Sequence, residues 1–249
     1  MLKLANINKT YHPGTQYAVP ALHQLDLELP KGTFCIVIGG NGSGKSTLLN
    51  TIAGTIFPDS GDIYINQQRV TSLKAFERSK FVARVFQNPH AGTAPNLSVL
   101  ENFRLAALRT QKKKLSIGLG RSFEKATQEN IADLGLGLEN KINQPMGTLS
   151  GGQRQALSLL MSALDDTQLL LLDEPTAALD PKSSALVMQT ANHLIEKKHL
   201  TTIWVTHHLK TVIDYGSRVI LMEQGKIKKD LEGEKKRHLT LQELYSWFA

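Results

Sequence analysis

The sequence predicts an α/β fold: a largely parallel sheet covered by helices on both faces, with a helical segment inserted. Three observations carry that prediction. The runs at 34–38, 169–172 and 201–205 are apolar without polar alternation, so each must be covered on both faces. Helical patterns lie between several of the strand-like runs, the arrangement of layered α/β proteins. From about 89 to 164 no convincing strand occurs.

Taken in order, strand-like runs rich in β-branched and aromatic residues fall at 2–8, 25–29, 34–38, 62–65, 81–86, 169–172, 201–205 and 219–222. Helical periodicity covers 45–53, 99–108, 122–134, 151–164, 183–197 and 209–215, with a last stretch at 241–248. The middle helices are joined by a basic, glycine-containing loop from Lys112, Lys113 and Lys114 to Arg121. We therefore expect one domain over 1–249, its α/β core formed by 1–88 and 165–249 and a helical subdomain by 89–164. There are no internal repeats or low-complexity tracts, and no appended regulatory domain is expected.

The 249 residues include 29 Lys+Arg against 22 Asp+Glu, a formal charge of +7. A basic balance is compatible with nucleic acid, an anionic membrane surface or phosphate-rich ligands and does not choose among them. One cysteine, Cys35, excludes a disulfide framework and a cysteine-based metal site and fits a reducing compartment. No stretch approaches the roughly 20 apolar residues that cross a bilayer, and residues 1–6 lack the pattern of a signal peptide.

The strongest local signal is the run Gly39, Gly40, Asn41, Gly42, Ser43, Gly44, Lys45, Ser46, Thr47, which fits G-x-x-x-x-G-K-[ST] between a strand and a helix. Its glycines let successive backbone N–H groups turn towards β- and γ-phosphates. Lys45 supplies a point charge, the Ser46 hydroxyl can ligate Mg²⁺, and the helix presents its positive end. By residue frequencies the pattern arises by chance in about 1% of chains of this length.

A second piece is the pair Asp173 and Glu174, delivered by four leucines at the C-terminal end of a buried strand, where open α/β sheets bind ligands. Taken alone, such a pair is usually a solvated strand end. Beside a phosphate loop, Asp173 is placed to hold Mg²⁺ through water and Glu174 to take a proton from an attacking water. The third piece is Leu149, Ser150, Gly151, Gly152, Gln153 at a helix start, with Ser150 in a capping position. It makes a second anion-binding surface. Two such surfaces are explained economically if each binds the same nucleotide from opposite sides of a two-fold dimer.

With these three motifs the chain resembles, over essentially its whole length, the ATPase subunit of an ABC transporter. The resemblance implies a P-loop NTPase (RecA-like) core with an N-terminal antiparallel β part and an inserted helical subdomain. The glycine loop matches the family's Walker A motif, residues 169–174 its Walker B motif with catalytic glutamate, and residues 149–153 its signature motif. Further matches follow in family order. Gln87 looks like the Q-loop glutamine that ligates Mg²⁺ and senses the transmembrane partner; Asp180 belongs to the D-loop at the dimer interface. His207 looks like the switch histidine at the γ-phosphate, and Tyr11 like the aromatic residue stacked on adenine. His208 stands where the family usually has Asp or Asn and is given no role, although it puts a second histidine beside His207. Gly40 stands where the family commonly has proline.

The resemblance further implies ATP and Mg²⁺ as ligands, with Ser46, Gln87 and Asp173 on the metal and Lys45, Glu174 and His207 in the chemistry. It implies a pair of ATPase subunits closing on ATP, and separate transmembrane permease subunits. It also implies an extracytoplasmic solute-binding protein in the same system and a peripheral place on the cytoplasmic face of the membrane. No nucleic acid is expected: the rival, a nucleic-acid- or ribosome-associated ATPase of the same family, rests on the charge alone. The segment 88–96, short of charge, is read as a docking edge for the permease. Together with the lysine-rich loop it resembles a subgroup serving amino-acid permeases, tryptophan and tyrosine systems among them.

Overall fold

The computed structural model describes residues 1–88, 91–109, 118–164 and 167–248. The expected lysines 112–114 and Pro89 and His90 of the docking edge lie outside the described residues. The chain begins with β1 (Leu2–Tyr11) and β2 (Val19–Leu29), then β3 (Phe34–Ile38), the helix α1 (Lys45–Ala53), β4 (Ser60–Ile65), β5 (Gln68–Arg69), the short α2 (Ala75–Arg78) and β6 (Val82–Val85). Three helices follow, α3 (Val99–Ala107), α4 (Arg121–Ala132) and α5 (Gly151–Ser162). The second half runs β7 (Leu169–Asp173), α6 (Pro181–Lys198), β8 (Thr201–Val205), α7 (Leu209–Asp214), β9 (Arg218–Glu223), β10 (Lys226–Glu232), α8 (Glu234–Arg237) and α9 (Leu241–Ser246).

Two sheets form. A four-stranded antiparallel sheet has the order β2-β1-β4-β5; a six-stranded sheet has the order β10-β9-β3-β8-β7-β6 and is parallel except for β10. Alternation along the central strands divides the core between two faces. Cys35 and Val37, with Leu169, Leu171, Ile203 and Val205, pack towards α1 (Leu48, Leu49, Ile52) and the antiparallel sheet. Ile36 and Ile38, with Leu170, Leu172 and Trp204, pack towards α3, α5 and α6. Every residue of β3 and β8 is buried, Thr201 and Thr202 of β8 included, as strands between two layers require.

The structure corrects several expected bounds. β1 and β2 extend to Tyr11 and back to Val19, carried by irregular pairing with several register shifts that an apolar count does not follow. β10 was not expected as a strand. It reads Lys-Ile-Lys-Lys-Asp-Leu-Glu and pairs only with β9, at the sheet edge, where charged side chains are tolerated and block further pairing. Between β6 and β7 the described residues hold helices and a single isolated bridge, Ser98 to Pro145.

One cation holds the end of α1. Arg78 is wholly buried (0% exposed). Its Nη1 donates to the carbonyls of Thr51 (2.6 Å) and Ile52 (2.9 Å), Nη2 to Thr71 (2.8 Å) and Nε to Leu73 (2.9 Å). Thr51 and Ile52 lie in the last turn of α1, whose carbonyls have no intrahelical partner and carry the negative end of the helix dipole. No carboxylate pairs with Arg78 among the described residues, and burial pushes its pKa down to about 10, so it stays charged at neutral pH. Arg78→Met should therefore lower unfolding stability by ~2–4 kcal/mol in chemical denaturation, because four carbonyls each lose a charged donor; a loss under ~0.5 kcal/mol would show that the cap is dispensable.

Candidate nucleotide site

Three strand ends converge. In the parallel register Val37 lies beside Val205 on one side and Ile220 on the other, and Asp173 beside Val205. The residues that follow β3, β7 and β8 therefore emerge together: the glycine loop, Glu174 and His207.

The glycine loop turns back through Ser43, whose N–H donates to the carbonyl of Gly40 (3.3 Å), and enters α1 at Gly44. Gly44 has φ 101°, and a Cβ there would run into the carbonyl oxygen of Ala21. Gly40 differs: a Cβ built there meets nothing within 4 Å, which suits a position where the family commonly carries proline. No side chain caps α1, so its first N–H groups are left for a ligand. Lys45 is 6% exposed and donates to the carbonyls of Gly39 and Gly40, 2.9 Å each. Burial lowers the pKa of its ammonium, while Glu174 and Asp173 nearby pull it back up. Ser46 is exposed at the mouth of the loop, and buried Thr47 meets the hydroxyl of Tyr11 at 3.4 Å.

On the far side Asp173 ends β7. Glu174 adopts φ 47°, a left-handed conformation rare for a non-glycine residue and typical of functional turns. Its N–H donates to the carbonyl of Val205 (3.0 Å), and its Oε1 lies 2.8 Å from Nε2 of His207. His207 and His208 are both exposed, and the side chain of His208 does not cap the helix α7 that it precedes. Asp173 is not free. Its Oδ2 is paired with Nη2 of Arg84 at 2.7 Å, a partner that the motif pattern does not contain. No group of three or more His, Cys, Asp or Glu suited to a metal is found among the described residues.

Ser150 caps α5, accepting from the N–H of Gln153 (3.3 Å), while Gln153 Oε1 accepts from the Ser150 N–H (3.3 Å). Gly152 is required by close packing, since a Cβ there would sit 2.6 Å from Cβ of Ser183 at the start of α6. Asp180 caps α6, accepting from the N–H groups of Lys182 and Ser183 (3.0 Å each), and the bonds to Ser183 hold its pKa below the usual range. Gln87 is exposed two residues beyond β6, and the carbonyl before it, of Phe86, accepts from Nε2 of Gln155 on α5 (2.9 Å). The signature segment is thus packed on the Asp180 turn and linked to the approach to Gln87. Among the described residues no hydrogen bond or ion pair joins residues 150–153 to the glycine loop of the same chain.

The chain is similar to known proteins over most of its length. Residues 22–177 match the family model for ABC transporters. Over 250 aligned residues, covering 100% of this chain and 98% of the relative, the chain is 38% identical to a tyrosine transport ATP-binding protein of Clostridioides difficile (strain R20291). It is 36% identical to a phosphonates import ATP-binding protein of Agrobacterium fabrum, covering 84% of this chain and 74% of the relative. The solved dimer of the ATP-binding cassette MJ0796 in a post-hydrolysis state with ADP and Pi superposes with a TM-score of 0.78 at 30% identity, over 93% of this chain and 98% of that one. Cassettes of this kind bind ATP and ADP, dimerise and work with membrane permease subunits. The chain belongs to the ABC transporter family, as an ATP-binding subunit that hydrolyses ATP to energise solute transport.

Proposed function

We propose that the converging strand ends form one half of an ATP site and that residues 150–153 of a second copy form the other half. The observation that carries this reading is the Glu174–His207 contact of 2.8 Å opposite the buried Lys45. In it, Gly39, Gly40, Asn41, Gly42, Ser43, Gly44 and Thr47 cradle the phosphates and Lys45 meets their charge. Tyr11, beside Thr47, stacks on adenine. Glu174 takes the proton of the attacking water, and His207, held by Glu174, meets the γ-phosphoryl oxygens. Ser150, Gly151, Gly152 and Gln153 of the second copy bring the free N–H groups of α5, and Asp180 holds the turn that crosses between copies. Closing the two copies removes bulk water, which strengthens each of these fixed charges.

Ser46, Gln87 and Asp173 offer only oxygen donors, a set suited to Mg²⁺ rather than to a soft metal, and Oδ1 of Asp173 makes no hydrogen bond among the described residues. When bound, Mg²⁺ neutralises phosphate charge. The paucity of acidic ligands fits an ion that takes much of its coordination from phosphate and water.

The chain reads as one ATPase domain over 1–249, with its core in 1–88 and 165–249 and its helical subdomain in 89–164. No helix of the described residues is long and apolar enough to cross a membrane; the transporter family of the chain supports a peripheral place on the cytoplasmic face beside separate permease subunits. The docking edge is supported at Ala94. Its N–H donates to Oδ1 of Asn102 (2.7 Å) and its carbonyl accepts from Nδ2 (3.0 Å), so a buried side chain of α3 fixes the loop. Beside it runs a groove of about 460 Å³ with Leu105 and Met161 in its wall. The tyrosine-transport relative supports an aromatic amino acid as the solute, captured by an extracytoplasmic solute-binding protein.

Four variants test these assignments. Gly44→Ala should weaken ATP binding ~10-fold or more because its Cβ has no room, whereas Gly40→Ala should stay within ~2-fold of the parent. Glu174→Gln should bind ATP, dimerise stably and hydrolyse it ~100-fold or more slowly; normal turnover would remove Glu174 as the base. Ala94→Asp should abolish co-purification with the permease from membranes while ATP binding by the free subunit is kept. Retained co-purification would move the docking edge elsewhere.

A further inference from the structure

Arg84 is the one residue around the site that neither the motifs nor the fold explains. It sits inside β6, flanked by buried Ala83 and Val85, with its side chain 13% exposed. A cation in that setting requires partners. The register supplies them. Arg84 lies opposite Leu171 of β7, so Asp173, two residues further on, is its diagonal neighbour on the same face. That face is covered by α1, which presents Asn50. The guanidinium uses both: Nη2 pairs with Oδ2 of Asp173 at 2.7 Å and Nη1 donates to Oδ1 of Asn50 at 2.5 Å. Its plane also lies over the ring of Phe86, 4.8 Å from the centroid, immediately before Gln87.

The same side chain lines the groove beside Ala94, together with Leu105, Ala106 and Met161. Its Nε is buried and makes no hydrogen bond. One planar fork thus touches the carboxylate at the metal position, the phosphate-loop helix, the approach to Gln87 and the wall of the groove. A lysine carries its three donors on a single nitrogen, so it could bond both acceptors only by drawing them to one point, and it has no planar face to lay over the Phe86 ring.

We propose that Arg84 is a positioning residue through which a permease segment seated in the groove sets Asp173 relative to the phosphate loop. The inference rests on the docking reading above for its partner. Filling the groove presses on the guanidinium and Phe86; the guanidinium cannot move without carrying Asp173 and Asn50 with it. Asp173 does not touch the groove itself, so Arg84 is the physical link between the two.

The test uses the assembled transporter and the free subunit, each with Arg84→Lys and Arg84→Met. Both variants should still co-purify with the permease and bind ATP in EDTA within ~2-fold of the parent, since neither the groove's apolar wall nor the phosphate loop is altered. The stimulation of ATPase rate by the permease should fall ~10-fold or more in Arg84→Met, in kcat with little change in KM for ATP. The Mg²⁺ concentration giving half-maximal nucleotide binding should shift, because Asp173 has lost its cation. Arg84→Lys should restore the Mg²⁺ dependence but not the stimulation; it also serves as the deciding variant should Arg84→Met fold poorly. Full permease stimulation in Arg84→Lys overturns the proposal. Failure of the docking reading is separately visible: Ala94→Asp would then leave assembly intact, whereas normal stimulation in the Arg84 variants with assembly lost in Ala94→Asp removes only the role of Arg84.

Discussion

The parallel pairing of β3, β7 and β8 is the constraint on which the site depends. Because these strands run in one direction and in level register, their C-terminal ends release the glycine loop, Glu174 and His207 at one edge of the sheet. Burial on both faces fixes that register, since a slip by one residue would exchange the α1 side of the core for the α5 side at every position. The convergence of these segments is therefore a consequence of core packing in β3 and β8, where every residue is buried, and not of local loop preference.

Charge is handled in the interior by two arginines in different ways. Arg78 has no carboxylate and is satisfied by carbonyls, four of them, closing the end of α1 opposite the end that faces the phosphates. Arg84 has one carboxylate and one amide and connects α1 to β7. Between them they fix α1 at its tail and along its flank, which leaves its first turn as the part of the helix free to answer to a ligand. Lys45 belongs to that turn. Its ammonium is held by two backbone carbonyls and meets no carboxylate within ion-pair distance among the described residues, so an incoming phosphate has no salt bridge to break.

Much of this was legible in the sequence, and what was missed shares a cause. The apolar runs of β3, β7 and β8 announce buried parallel strands, and the glycine loop, the Asp173 and Glu174 pair and the Ser150 cap are contiguous patterns that local physics explains. Arg84 and Arg78 were invisible because their meaning lies in partners distant along the chain: Arg84 and Asp173 are 89 residues apart, and Arg78 and Thr51 are 27 apart. β10 escaped because an edge strand can be almost wholly charged. His207 was favoured over His208 by its place after the buried strand, and its Nε2 lies 2.8 Å from Oε1 of Glu174.

A site divided between two copies is the reading that everything above serves, because Gly152 packs on Ser183 of α6, Gln155 of the same helix bonds the carbonyl before Gln87, and among the described residues no hydrogen bond or ion pair joins residues 150–153 to the glycine loop of their own chain. Mixing copies that carry Lys45→Ala with copies that carry Ser150→Arg, both in a Glu174→Gln background, isolates that division. Only a mixed dimer then holds one complete site, made from Lys45 of one copy and Ser150 of the other. The measurement is ATP retained by the dimer fraction after removal of free nucleotide. A divided site predicts retention by the mixture and none by either variant alone; retention by the Ser150→Arg copies alone, equal to that of the Glu174→Gln parent, would contradict it.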